Sequence, residues 1–515
     1  MSTTEQSEKV HSSELTKIAK GGFLGLTSSI GAKGILFFFT LALAKILGPA
    51  DLGLYFLGAT VCEFVTIFSN FGLQYGATRF VAIYQGLDDP QRMKGTVLSA
   101  AFLGLLASLL TGGTLFLSAD LIASSLFHKP ALGLVIRLLS VSIPFECLMK
   151  VFTASALGLK RMEHTAYIEH LAWNGLRLAL ALFFTCWLHL GLRGVALAYV
   201  ASSVISAGLA FYYVNKLIPL IKMQTIPIFE VKKLLRFSIP MLLSTFVHDL
   251  MMKEDVLMLG YFVSAAEIGI YSVAVKILGL AEVIFQTFRP IFNPIVAELF
   301  ERKEFGKLSH LLKLITRWDI MMSCPIFLCF WLFPGFLLNI FGKGFVGGAN
   351  CLRLLAIASV ADSISSYPSS IIFMSGRSYI SLMNNFIALL INFVLNYLLM
   401  PGYGIIGAAL ATIAAVVAVA LLRVGILYYL MRIQPLSRSL WKPLSAGFIS
   451  SFIILAVNIF IVGSALTRGS SFQNTISTMS LISVFIILYF FFIYIFRLNE
   501  EELSLIKKIK VKIIN

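Results

Sequence analysis

Charge is what this sequence has least of. Of its 515 residues only 13% are Asp, Glu, Lys or Arg, against roughly a quarter in a soluble globular chain. That shortfall excludes soluble enzymes, disordered scaffolds and collagen-like fibres. Cysteine is scarce too. The six cysteines (Cys62, Cys147, Cys186, Cys324, Cys329 and Cys351) all lie in apolar stretches, with neither zinc-type spacing nor a disulfide framework. Residues 1–20 are polar and lack the apolar core and small-residue cleavage site of a secretory leader. A phosphate-binding Walker loop, a zinc-protease motif and a Gly-x-Ser-x-Gly elbow are all missing. The sequence therefore offers no cofactor or metal site, and ATP-driven transport would need another subunit.

What is present is apolar. Hydrophobic residues make up 58% of the chain and the mean hydropathy is +0.89. Unbroken apolar runs such as 35–44 argue against the alternating pattern of an outer-membrane barrel. An all-α integral membrane protein remains. Windows of about 20 apolar residues give fourteen candidate spans at 21–46, 52–84, 95–118, 131–158, 166–188, 194–215, 237–261, 268–298, 308–340, 350–374, 378–400, 405–430, 443–462 and 476–496. An even number places both termini on one side. With the N-terminus inside, the inner segments hold 24 Lys and Arg and the outer loops four: Lys129, Arg193, Lys343 and Arg468. This bias predicts a multi-pass protein of the cytoplasmic membrane with both termini cytoplasmic. It also explains most of the net charge of +16 without a nucleic-acid partner.

The chain repeats itself. Ala50-Asp51-Leu52-Gly53-Leu54-Tyr55 matches Ala266-Glu267-Ile268-Gly269-Ile270-Tyr271 at an offset of 216, and Arg137-Leu138-Leu139, Arg161 and Tyr212-Tyr213 recur at the same distance. Gly194-Val195-Ala196-Leu197-Ala198 matches Gly407-Ala408-Ala409-Leu410-Ala411 at 213. Six helices separate equivalent positions, so the copies share one orientation, a parallel repeat common among secondary transporters. The expected organisation is a cytoplasmic segment 1–20, an N-lobe 21–215 and a cytoplasmic linker 216–236. A C-lobe 237–430, two further helices within 443–496 and a basic cytoplasmic tail 497–515 follow.

Several short motifs carry a resemblance. Leu47-Gly48-Pro49-Ala50-Asp51-Leu52-Gly53-Leu54-Tyr55, Asn70-Phe71-Gly72-Leu73 and Arg79-Phe80-Val81-Ala82 resemble the oligosaccharide flippases of the polysaccharide-transporter family, within the MATE-like (MOP) flippase superfamily. Asp255-Val256-Leu257-Met258-Leu259-Gly260, Gly269-Ile270-Tyr271 and Pro290-Ile291-Phe292-Asn293-Pro294 look like that family's seventh and eighth helices. The resemblance implies outward flipping of an oligosaccharide carried on a polyprenyl (pyro)phosphate, for polysaccharide assembly. It further implies a central cleft lined by the first, second, seventh and eighth helices. Lys33, Glu63, Lys253, Lys276 and Arg289 fall there.

Thirteen Lys and Arg lie on the spans. A charge at mid-bilayer costs at least about 2.5–3.5 kcal/mol, so such groups face a cavity or a partner. Lys33 is about twelve residues into the first span, roughly 18 Å along the helix and near its middle. Gly31, Ala32 and Gly34 leave room beside its ammonium. It is the expected main phosphate anchor, with Lys253, Lys276 and Arg289 assisting. Asp249 and Lys253 are four apart in the order that favours a same-face ion pair. Glu254 and Asp255 lie about 100° or more around the helix from Lys253, so one of them is expected to meet another helix. Glu63, Asp249, Glu254, Asp255 and Glu282 are read either as binders of H⁺ or Na⁺ or as counter-charges for the lysines.

Rival readings are also open. A multidrug exporter of the same superfamily would favour acids in the first lobe, yet the first span has no Asp or Glu. A membrane-embedded glycan polymerase or transferase needs a large outer domain, and no outer loop reaches twenty residues. The reading is therefore a transporter and not an enzyme. A scaffold among glycan-assembly proteins is a third possibility, served by the basic stretch Ile506–Lys512, which equally suits anionic lipid.

Overall fold

In the computed structural model, residues 3–221, 226–457 and 471–496 are described, and their side chains from residue 31 onward with gaps. Lys222, Arg468, the end of the thirteenth candidate span and the tail 497–515 lie outside the described residues. The side chain of Glu282 is likewise outside them. Among the described residues all regular structure is helical. In chain order the helices are α1 (Thr3–Asn70), α2 (Leu73–Gly86), α3 (Pro90–Leu121), α4 (Ala131–Ser140), α5 (Ile143–Gly158), α6 (Met162–Thr165), α7 (Trp173–Leu182) and α8 (Gly191–Leu217). There follow α9 (Val231–Phe262), α10 (Ala265–Glu301), α11 (Phe305–Leu332), α12 (Pro334–Phe341), α13 (Ala349–Met374), α14 (Ser378–Met431), α15 (Trp441–Val457) and α16 (Ser471–Ile495). Wide π turns at Ala166–Ala172 and Phe183–Trp187 flank α7.

Helices cover the apolar stretches wherever residues are described. Among the described residues seven are long and apolar enough to cross a membrane, or up to nine if each bent pair is one span. Fourteen spans therefore remain an expectation of the sequence. The difference arises at the breaks. The first two candidates join in α1, which kinks at Gly48 (φ 74°, ψ 179°), and the eleventh and twelfth join in α14 across a kink at Gly404 (φ 55°, ψ −130°). The long second candidate instead breaks at Phe71 and Gly72, both at positive φ.

These breaks keep the repeat's spacing. Left-handed residues recur at Asp88 and Lys303, at Lys160 and Gly376, and at Gly191 and Gly404, separations of 215, 216 and 213. Short turns fix where helices end more strictly than apolar residues fix where they run. The offset is therefore better preserved in the punctuation than in the Leu- and Ala-rich spans.

The chain divides into two compact units. The first comprises Met1–Val283, Phe341–Phe345 and Asn385–Ala411; the second comprises Ile284–Ile340, Val346–Asn384 and Thr412–Asn515. In the first, α2, α3, α5 and α9 share a core of Leu73, Phe80, Ala100, Val151 and Leu234. There Gly53 and Gly269, equivalent in the repeat, meet main chain to main chain. A Cβ on Gly53 would lie 2.8 Å from the Gly269 nitrogen, and one on Gly269 would lie 3.1 Å from the Gly53 nitrogen. Each would also strike the carbonyl four residues before the other glycine, Ala265 or Pro49. The contact is reciprocal, as a two-fold relation between the copies requires.

The segment just before α9 is tied to the first copy. The Ile228 amide donates to the Gln91 carbonyl at 3.1 Å, and the Tyr84 hydroxyl donates to Glu230. Lys233 Nζ donates to Tyr84 Oη at 2.9 Å and to Glu230 Oε2 at 3.2 Å, with Arg92 Nε 3.7 Å from the other carboxylate oxygen. Together, Tyr84 first and then Lys233 and Arg92, they hold the Glu230 carboxyl below the ordinary carboxylate range.

In the second unit, Phe292, Leu308, Leu312, Tyr367 and Leu427 form one core. Another joins Phe333 to Ile454, Leu481 and Phe485, so the last two helices pack on α11. Large apolar side chains such as Leu117, Phe448, Phe452 and Tyr494 point outward unsheltered. That costs nothing where the solvent is lipid.

Candidate functional site

Lys33 sits on α1 where small neighbours thin the helix. A Cβ on Gly31 would be 3.3 Å from Leu171, while Gly34 faces open space. The ammonium crosses to α10 and donates to the Gly279 carbonyl at 3.4 Å. Lys276 is three residues earlier on the same helix, on an adjacent face, with its Nζ 5.9 Å from the Phe56 ring centre.

Lys253 corrects the sequence reading. Its ammonium pairs with Glu63 of α1 at 2.7 Å and not with Asp249 of its own helix. Asp249 acts on it only through space. A flexible lysine stem reaches a neighbouring helix as easily as the next turn, and packing α1 on α9 supplies the better-placed carboxylate. The two lysine contacts are related by the repeat. Glu63 and Gly279, which receive Lys253 and Lys33, are 216 residues apart. Each copy thus sends a lysine to the same position of the other.

The opposite side of α9 is acidic. Asn392 Nδ2 of α14 donates to Glu254 Oε1 at 2.5 Å and to Asp255 Oδ1 at 2.9 Å. Asn396 Nδ2 donates to Asp255 Oδ1 at 2.7 Å, and the Tyr271 hydroxyl donates to Asp255 Oδ2 at 2.6 Å. Glu254 is 2% exposed and Asn396 fully buried. Glu254 Oε2 and the Oδ1 atoms of both asparagines have no hydrogen-bond partner. Buried oxygens gathered this way suit a proton or a small hard cation. Nothing in composition pointed to the asparagines. Their i, i+4 spacing inside an apolar run was the available signal.

Two further charged groups on the spans receive no site role from the sequence. Arg177 on α7 is buried, its guanidinium 4.6 Å from the Phe39 ring centre, 5.4 Å from that of Trp173 and 5.6 Å from that of Tyr199. Its Nη2 donates to Asn174 Oδ1 at 2.9 Å. Asp319 on α11 is fully buried in the second unit, with Tyr367 and Arg289 as polar neighbours. Arg289 therefore belongs to the second unit and the lysines to the first. Arg137 and Arg353, repeat equivalents, serve structure: Arg137 pairs with Asp120, and Arg353 Nε donates to the Trp331 carbonyl at 3.2 Å. Among the described residues no group of three or more His, Cys, Asp or Glu is placed to hold a metal.

Comparison with known proteins places this geometry among transporters. Residues 18–300 match the family model described as polysaccharide biosynthesis protein, and residues 240–398 match that of MatE. A putative O-antigen transporter of Shigella flexneri is 25% identical over 391 residues, covering 74% of this chain and 90% of that protein. The structure resembles that of the lipid II flippase MurJ in an inward closed conformation, with a TM-score of 0.72 at 16% identity over 92% of this chain and 98% of that one. It also resembles an inward-facing multidrug resistance MATE family transporter of the MOP superfamily, with a TM-score of 0.62 at 17% identity over 77% and 94%.

Proposed function

Because this multi-pass membrane chain belongs to the polysaccharide biosynthesis protein family, we propose that it is a flippase for an oligosaccharide linked to a polyprenyl (pyro)phosphate. It would act in the cytoplasmic membrane with both termini inside, serving polysaccharide or cell-surface glycan assembly. One observation carries the reading: Lys253 of α9 pairs with Glu63 of α1, Lys276 of α10 acts on the same carboxylate, and Lys33 of α1 donates to Gly279, the repeat equivalent of Glu63. Cations concentrated in a low-dielectric interior attract an acidic head group, and neighbouring amides and hydroxyls suit sugar. The prenyl tail stays in lipid. Alternating exposure of the cleft by the two repeat copies carries the head group across.

Lys33 is the main phosphate anchor in this reading, assisted by Lys253 and Lys276. Glu254 and Asp255 accept hydrogen bonds from neutral amides and a phenol, which supports ion coupling for that pair. The test is complementation of a strain lacking its own glycan flippase. Wild type restores surface glycan and Lys33→Ala does not, at equal amounts in the membrane. Full rescue by Lys33→Ala sinks the anchor, and failure of wild type with matched glycan sinks the reading.

The MatE match supports a second reading, an ion-coupled exporter of cationic drugs. Drug efflux that persists in Lys33→Ala would favour it.

A further inference from the structure

The second unit encloses a titratable group that the transport reading leaves unused. Asp319 lies fourteen residues into α11, about 21 Å along the helix and near its middle. It is fully buried, and among the described residues neither of its carboxyl oxygens has a hydrogen-bond partner. Ile315 and Leu312, one and two turns earlier on the same face, share a core with Tyr367 of α13 and Phe292 of α10. That core seats Asp319 against α13. Tyr367 is itself fully buried, its ring centre 5.2 Å from that of Phe292, and its hydroxyl is unmatched. Thr316, one turn before Asp319, adds another buried, unmatched hydroxyl. Ser323, one turn after, serves the backbone instead, donating to the Asp319 main-chain carbonyl at 2.7 Å.

The charges on the surrounding helices are engaged elsewhere or stand off. Arg423 of α14 meets Asp362 of α13 at 3.4 Å and Ser365 Oγ at 3.3 Å. Arg317, on the same helix as Asp319, donates to Ser439 Oγ at 3.2 Å. Arg289 of α10 and Asp362 act on Asp319 through space only. Lys442 is in the first turn of α15, and the Tyr489 hydroxyl of α16 donates to the Met321 carbonyl at 3.0 Å. A carboxylate enclosed without a donor or a cation neutralises itself by taking a proton. Its two oxygens and the two hydroxyls fall short of the roughly six that a hard divalent cation takes.

We propose that Asp319 is a proton-binding site: its carboxyl holds a proton in this packed core and yields it to water when the core opens. On release the O–H bond breaks, its electron pair stays on the carboxylate, and water carries the proton away. The Glu254 and Asp255 cluster belongs to the first unit, so this is a second site, and it stands whichever cargo is carried.

The experiment records infrared spectra of the detergent-purified full chain at neutral pH. Wild type minus Asp319→Asn shows a free-acid carbonyl band, and transfer to heavy water shifts that band as the proton exchanges. Absence of the band, or a band that never shifts, overturns the proposal. Glycan complementation then tests release. Asp319→Asn, neutral and with no acid proton to give up, restores less than about a tenth of wild-type surface glycan at equal membrane amounts. Asp319→Glu, which titrates again, restores most of it. Full rescue by Asp319→Asn overturns the proposal. If Asp319→Asn does not fold, Tyr367→Phe decides: loss of the neighbouring hydroxyl moves the acid band to higher frequency, and an unmoved band overturns the proposal. Where wild type itself restores no glycan, the flippase reading fails and the infrared spectra alone judge the site.

Discussion

Lys253 and Asp255 stand two residues apart on α9 and meet opposite chemistry. One faces a carboxylate among cations, and the other faces amides and a phenol. The lysine side is paired ion to ion across the two repeat copies. The acidic side accepts from neutral donors, two amides and a phenol. One helix thus separates an ion pair from a cluster of hydrogen-bonded carboxylates, with its backbone as the partition.

The sharpest way to break this contrast is to swap the ion pair. Glu63→Lys combined with Lys253→Glu restores attraction while removing the cation from α9. We expect complementation to fall below a tenth of wild type although the protein stays folded; near-normal glycan export would show that pairing alone matters. Asp255→Leu tests the other side. It strands two amides and the Tyr271 hydroxyl, and a buried donor without a partner costs about 1–3 kcal/mol. A lower detergent melting temperature is expected, larger than for Asp255→Asn, and equal shifts would refute the role of charge there.

Gly53→Val probes the frame that holds both sides. Its branched side chain would enter the main chain of α10, and overpacking of that kind costs about 1–3 kcal/mol. Gly269→Val should match it within about 1 kcal/mol by the same melting measurement, since the contact is reciprocal. The smallest effect lies at the linker. Glu230 is held below its ordinary pKa, so its contribution is complete above about pH 4.3 and disappears as the pH falls through the lower folded value. Cleavage of the 216–236 segment by an acid-active protease should accelerate below that pH, once the protease's own pH dependence is subtracted, and Glu230→Gln should flatten the curve.

Fold class was plain in the sequence because lipid imposes it. A span needs a long apolar run and satisfied backbone groups, and both leave composition no alternative. The repeat was legible in Gly53 and Gly269, where close packing forbids any other residue. Lys253 was assigned the wrong partner because the i, i+4 rule sees one helix, while Glu63 is 190 residues earlier in the chain. Asn392 and Asn396 passed unnoticed because an amide in an apolar run carries no charge to flag it. Arg177 and Asp319 have partners on other helices, and an intramembrane charge identifies a polar site without naming its partner.

The glycine crossing has a genetic consequence. Where two side chains clash, a second mutation can trim one of them. Gly53 and Gly269 have nothing to trim, because each is opposed by peptide main chain, whose atoms no substitution removes. A change at either position is therefore beyond repair by its neighbour, and revertants should restore the glycine itself or arise where a helix can be displaced.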